Sequence, residues 1–381
     1  MGKKKDKEPR PPIPANTKAR LWLASGGRCQ FKGCNKALWS HSITRNLMNK
    51  SYIAHIYAFS PEGPRYDKIL SPQLETDYNN LMLMCDECHR LIDAMPVKEY
   101  TAETLIQMKK DHEARIELLT GIQPNKMTHV IMYGAKVGKH DSPLRYDSAV
   151  QAVIPQYYPL SSNAIELGMK NTVIEDSMPE YWNIQEQNLC ALFKKQVEYI
   201  KENDGIQHYS IFALAPQPLL IKLGTLLNDI YSAEVYQLHR EPSTWAWQND
   251  DKSIEYELVI PEKRANVVAL KIELSATITD DRLTDVMGID VDIWSIKIEE
   301  PYNDFLQSRH QLKLFREFIR KAFDKIKAIY GQDAVLNIFP AMPVSTAIEL
   351  GRAWMPKADM SMLVYDQNRT LNKFIKTLKI K

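Results

Sequence analysis

Two stretches of the chain, IFALAPQPLLIKLG at 211–224 and IFPAMPVSTAIELG at 338–351, share the pattern I-F-x-x-x-P-x-x-x-x-I-x-L-G at an offset of 127 residues. A repeat of that length means that one supersecondary unit is built twice. The flanks agree. An apolar stripe at helical spacing precedes each copy, Leu189, Leu192, Phe193, Val197 and Ile200 in one and Leu312, Phe315, Ile319, Phe323 and Ile326 in the other. A strand-like run opens each half, HVIMYGAKVG at 129–138 and NVVALKIELSA at 266–276. Strand alternating with helix predicts parallel α/β units, at about 128–255 and 256–381. Ligands of open parallel sheets lie at the carboxyl ends of the strands. Those ends are GAKVGK, LSAT, LAPQP and AMPVS, and two facing copies frame a roughly twofold pocket.

The rest of the chain follows another logic. Four of the five cysteines precede residue 90, Cys29 and Cys34 as CxxxxC and Cys85 and Cys88 as CxxC, while Cys190 sits in a helical run with core character. The N-terminus, MGKKKDKEPRPPIP, lacks the apolar core of a signal peptide. No run of about 18 apolar residues offers a membrane span. These features predict a cytoplasmic protein with no membrane partner and a disordered basic tail at 1–15. In a cytoplasmic chain, close thiol pairs favour a metal over disulfides, and zinc is the default for four thiolates. Residues 16–120 read as one small domain. A short helix and a glycine turn lead to the first thiols, 52–59 has strand composition, and CDECHRLIDA begins a helix. Residues 101–119 form an amphipathic helix with Leu105, Met108, His112, Ile116 and Leu119 on one stripe, and GIQPNKM at 121–127 is a linker. Residues 1–120 hold 19 Lys/Arg against 14 Asp/Glu, and the remainder 30 against 33. The net charge of +2 thus hides a basic segment compatible with a phosphate backbone.

Around the thiols stand His55, Asn80 and His89, spaced 25 and 9 residues apart in AHI, NNLMLMC and CDECH. Over roughly 22–95 the chain resembles the cysteine-stapled HNH endonucleases, whose ββα-metal site has its first His on a strand, Asn in the following loop and a final His on the helix. The resemblance implies metal-dependent hydrolysis of double-stranded DNA, which needs a base for water and a cation for developing charge. His55 would take the proton. Asn80 would either hold the other nitrogen of that imidazole or give its carbonyl oxygen to the cation. His89 would bind the cation, Mg²⁺ or Mn²⁺, with Asp93 one turn on to orient it. Arg65 would bind a DNA phosphate. Zinc on Cys29, Cys34, Cys85 and Cys88 would be structural, fixing a domain too small to hold itself. In one respect the chain departs from the pattern. Many HNH sites place Asp or His before the first His, and here that residue is Ala54. Asn79, Asn80, Asp93 and Asp77 are then the candidates for a second protein ligand. His41 and His112 lack comparable context and read as structural.

SAEVYQLHREPSTWAW at 232–247, IFALAPQP, and IFPAMPVSTAIELGRAWMPKADMSMLVYD at 338–366 resemble the SAVED domain over about 130–381. That domain is a fused pair of CARF-like α/β units that senses cyclic oligonucleotides in bacterial anti-phage systems. A zinc-stapled ββα nuclease followed by SAVED is similar to the HNH–SAVED effector nucleases of CBASS. The resemblance implies a cyclic dinucleotide made by a partner cyclase, DNA cleavage as an abortive-infection response, and a homo-oligomer on activation. Lys136, Lys139 and Arg240 are suited to phosphates. Trp245 and Trp247 alternate as on a strand, one to stack on a base and the other to pack, with Trp245 taken as the residue that meets the nucleotide. Gln217, Ser275 and Ser345 fall at the expected strand ends, within reach of base edges or ribose. Two other functions fit the same residues: a ligand-gated RNase, since nothing excludes a 2′-OH, and a non-catalytic zinc-knuckle nucleic-acid-binding sensor.

Overall fold

The computed structural model describes residues 11–41, 43–44, 46–94, 99–123, 125–169, 172–178, 180–248, 252–262, 265–368 and 370–381. Most of the expected tail at 1–15, and Pro124 of the expected linker, lie outside the described residues. The chain divides into two units, Met1–Ile122 and Gln123–Lys381.

In the first unit α1 (Ala15–Ala24) ends at Gly26 and Gly27, whose φ of +60° and +65° turns the chain into the Cys29–Cys34 knuckle. The strands β1 (Ser51–His55) and β2 (Leu81–Cys85) pair antiparallel, from Ser51 opposite Cys85 to His55 opposite Leu81. The connection holds α2 (Leu70–Gln73) and a 3₁₀ turn at Tyr78–Asn80. Leu81–Met84 are buried on both faces, the outcome expected of a continuous apolar run. The helix α3 (Asp86–Ala94) starts directly after Cys85, with Asp86 and Glu87 in its first turn, where carboxylates suit the helix dipole. The result is a hairpin followed by a helix. The helix α4 (Ala102–Thr120) buries Leu105 and His112 as its stripe predicts, but Leu119 is 51% exposed. Lys109 is buried in its stead. Its Nζ lies 3.8 Å from the centre of the Tyr78 ring and pairs with Glu113 Oε1 at 2.5 Å, which compensates the buried charge.

The second unit begins with β3 (Met127–Gly134), α5 (Tyr146–Val153), β4 (Tyr158–Pro159) and β5 (Ile165–Glu166). Then α6 (Tyr181–Leu192) runs through a π turn (Phe193–Glu198) into α7 (Tyr199–Asn203), followed by β6 (His208–Leu214), α8 (Gln217–Leu227) and β7 (Ser232–Val235). The second half holds β8 (Glu257–Val259), β9 (Val268–Glu273), α9 (Asp280–Met287), β10 (Asp292–Lys297), α10 (Arg309–Tyr330), β11 (Val335–Ala341), α11 (Val344–Ala353), β12 (Ser361–Asn368) and β13 (Lys373–Ile380). The sheets run β4-β3-β6-β7 and β13-β12-β11-β9-β10-β8. The inner four strands of the second sheet repeat the order of the first. All pairs in the first sheet and the inner pairs of the second are parallel, as the strand–helix alternation predicts. The edge strands β8 and β13 pair antiparallel, a departure from the all-parallel expectation. The π turn has no counterpart in the uninterrupted α10.

The repeated motif has a physical meaning at each position. Pro216 and Pro343 precede the first turns of α8 and α11, where a fixed φ and a missing N–H cost nothing. Phe212 stacks on Tyr236 at 4.5 Å with Trp245 edge-on, and Phe339 stacks on Tyr365 at 4.3 Å with Phe374 edge-on. The last residues, Gly224 and Gly351, are where α8 and α11 touch. A Cβ on Gly224 would stand 2.0 Å from Ile348 O, and one on Gly351 2.1 Å from Ile221 O. No helix among the described residues is long and apolar enough to cross a membrane.

Candidate functional site

The knuckle before β1 and the turn between β2 and α3 bring Cys29, Cys34, Cys85 and Cys88 together, with all four Sγ atoms within 4.8 Å of one another. The Cys34 and Cys85 sulfurs are 3.8 Å apart. A disulfide would need about 2.05 Å, whereas a tetrahedral zinc with bonds of about 2.3 Å sets its sulfurs about 3.8 Å apart. The donors therefore fit zinc. Burial pushes the Cys29 thiol up to about 12 and raises that of Cys88. Burial also raises Cys85, but the Cys88 backbone N–H and the neighbouring thiols outweigh it and lower the thiol overall. Thiols this crowded ionise together only beside a cation.

His55 closes β1, and its Nε2 lies 2.9 Å from Glu75 O. A carbonyl only accepts, so Nε2 donates in this contact. Asn80 is buried beside it. Its Oδ1 accepts Tyr57 N–H at 2.7 Å, and its Nδ2 donates to Leu74 O at 3.1 Å and Tyr57 O at 3.2 Å. Both roles expected of Asn80, holding the imidazole and binding a cation, give way to a third. Its amide is spent on backbone, and it ties the end of β1 to the Leu74–Glu75 segment on which His55 also rests. His89 lies on α3, stacked on Tyr52 at 5.3 Å, with Nε2 3.8 Å from Asp93 Oδ2. Arg65 is corrected as well. It is buried, with φ +62°, and its guanidinium donates to Ile56 O and Ile92 O at 2.8 Å each and to Asp93 Oδ1 at 3.3 Å. It clasps β1 to α3 and has no reach toward a DNA phosphate.

Among the described residues the four cysteines are the one group of three or more His, Cys, Asp or Glu side chains that converges as metal ligands. Of the candidates for a second catalytic ligand, Asp77 caps the 3₁₀ turn by accepting Asn79 N–H at 2.7 Å, and Asn80 is spent. Asp93 stands beside His89. One imidazole and one carboxylate fit a hard cation that keeps most of its water, as Mg²⁺ does.

In the second unit, Gln217 and Ser275 meet at the loop after β11. Gln217 Oε1 accepts Met342 N–H at 3.3 Å, and Ser275 N–H donates to Ala341 O at 2.8 Å. Lys136 follows β3 and lines a cavity of about 530 Å³ with Asp141, Ser142, Glu166 and Thr172, its Nζ 3.7 Å from Asp141 Oδ1. Arg240 is exposed, and its backbone N–H donates to Asp304. Two expectations fail. Trp245 is core, edge-on to Phe212 at 5.3 Å, because the chain after β7 folds back over that sheet. Ser345 is fully buried and donates to Gln237 Oε1 at 2.8 Å. Gln237 was not foreseen, since nothing in the sequence marks a glutamine just past a strand as the anchor of a helix start.

Residues 191–380 match the model of the SAVED family, described as the SMODS-associated and fused to various effectors sensor domain. The chain carries a SAVED sensor domain. The match begins inside α6, so β3, α5, β4 and β5 of the second unit lie outside it. No curated protein matches the chain. Similar solved structures include the Acinetobacter baumannii Cap4 SAVED/CARF-domain containing receptor with the cyclic trinucleotide 2′3′3′-cAAA, at TM-score 0.44 and 11% identity, covering 73% of this chain and 55% of that one. The same receptor with 3′3′3′-cAAA gives TM-score 0.44 and 12% identity, with 83% and 67% covered. The Moraxella osloensis Cap4 receptor gives 0.40 and 11%, with 72% and 54% covered. This chain thus spans about half the length of two of these receptors.

Proposed function

We propose that the chain is a DNA endonuclease of the HNH type, switched on by a cyclic oligonucleotide bound to its SAVED domain, and that it serves as an antiviral effector. The observation that carries this reading is that one hairpin-helix unit, with four converging cysteines, holds His55, Asn80 and His89 in a chain that also carries a SAVED sensor domain. His55 acts as the base. Its Nε2 is held by Glu75 O, which fixes the orientation of the ring. Asn80 keeps the loop behind that histidine in place. Arg65 holds Asp93, and Asp93 faces His89. A divalent cation at His89 would supply charge stabilisation for the phosphate. Cutting both strands of a duplex calls for two such sites. The ligand is therefore proposed to favour an assembled form, to which it must bind more tightly than to the free chain.

The test is cleavage of supercoiled plasmid by the full chain with Mg²⁺ and a panel of cyclic di- and trinucleotides, with mass followed by light scattering. One nucleotide should switch on cleavage and raise the mass together. His55→Ala should lose on the order of 10²–10⁴ in rate while binding the nucleotide normally. Near wild-type cleavage by that variant would sink the assignment, and activation at constant mass would remove the assembly step.

A further inference from the structure

With Arg65 enclosed, the nuclease unit needs its phosphate contacts elsewhere. The zinc knuckle presents a different pair of arginines. Arg28 immediately precedes Cys29, and Arg115 lies on α4, 87 residues further along. Both are exposed, and both converge on Asn35, the residue after Cys34. Arg28 Nη1 donates to Asn35 O at 3.1 Å, and Arg115 Nη2 donates to Asn35 Oδ1 at 2.5 Å. Asn35 has φ +51°, a left-handed conformation that asparagine tolerates better than most residues. It thereby offers its backbone and side-chain oxygens to two guanidiniums at once. Among the described residues neither guanidinium has a carboxylate at ion-pair distance. The nearby Lys36 differs, for it is already paired with Glu87. Two like charges gathered on neutral oxygens, with donors left over, form a receptor for an anion. Arginine forks match the oxygens of a phosphate.

We propose that Arg28 and Arg115, bridged by Asn35, grip the phosphodiester backbone of duplex DNA at the zinc knuckle. The competing role is electrostatic and internal. Four thiolates on one zinc carry a net charge of about −2, and the arginines could be their counter-ions. The proposal rests on the nuclease reading only for the identity of the polymer, because binding is read without cleavage. If the chain cuts nothing yet shows the effects below, the nuclease reading fails and this one stands.

The experiment uses the full chain and a labelled duplex of mixed sequence, with anisotropy recorded without added divalent cation over a salt series. Each phosphate contact contributes about 0.9 to the slope of log affinity against log salt, so Arg28→Ala with Arg115→Ala should flatten it by about 1.8. Between about 50 and 200 mM salt the wild type should then lose about 12-fold more affinity than the variant. The loss should be the same for unrelated sequences, and zinc should remain bound. An unchanged slope with zinc retained overturns the proposal, and so does loss of zinc from a double variant that still folds. If the alanine variant does not fold, Arg28→Lys with Arg115→Lys keeps both charges but not the forks. It should keep the wild-type slope at reduced affinity, and unchanged affinity would overturn the assignment. Inorganic phosphate titrated at constant ionic strength should not displace the duplex. Saturable displacement would assign the pair to free phosphate instead.

Discussion

His208 opens β6 with its ring stacked 3.7 Å from Tyr157 and its Nδ1 2.8 Å from Thr128 Oγ1. Burial, followed by the charges of Lys126 and Arg352, lowers it to about 4. The unfolded chain protonates this ring near its ordinary value of about 6.5, and the folded chain does so only near 4. The stabilisation is therefore complete above about 6.5 and fades as the pH falls toward 4, by about 3 kcal/mol in all. Urea unfolding of wild type and His208→Gln on either side of that window should show the larger acid loss in the wild type. Equal losses would mean that the ring is not held neutral. Residues of this kind set the limit on what could be read from the sequence. The four cysteines announced themselves, because their spacing is itself metal chemistry. Arg65, Trp245 and Ser345 carried suitable chemistry too, but what decides their roles is where each side chain points, and no spacing encodes that.

The helix pair α8 and α11 carries the element-scale prediction. Gly224→Ala or Gly351→Ala places a methyl about 2 Å from a carbonyl of the opposite helix, inside any tolerable contact. The helices must part, and overpacking of this severity costs about 3 kcal/mol. The two sites share one contact, so once one substitution has spread the helices the second should cost less, and the double variant should fall short of additivity. A denaturant double-mutant cycle measures this, and additive costs would refute a common contact point. At this scale the sequence was most informative. Strand and helix alternation and the repeat follow from periodicity and turn residues, while the hairpin-helix order came only through the resemblance to the HNH site. The antiparallel edges β8 and β13 did not, because the direction of an edge strand is set by the neighbour it meets. The π turn at Phe193–Glu198 also went unseen, since a locally widened helix keeps nearly the same apolar stripe.

For the whole molecule, the separation at Ile122 and Gln123 predicts unequal dependence on metal. Freshly purified protein should contain one zinc per chain. Cys88→Ser should unfold the first unit, whose small core includes Cys29, Cys85 and Cys88 themselves, because metal binding there is folding energy. The second unit has its own extensive core and should keep its unfolding transition. Calorimetry with metal analysis checks both, and a zinc-free wild type with two intact transitions would refute the structural role. The meeting of Gly224 with Gly351 bears also on how freely the two halves can vary. Outside the shared motif the two halves differ in most residues. Where the copies press on each other, drift in one is vetoed by the other, since neither glycine can gain a side chain while its opposite backbone stays put. The motif shared by the two halves ends at that contact, so each half limits what the other can place there.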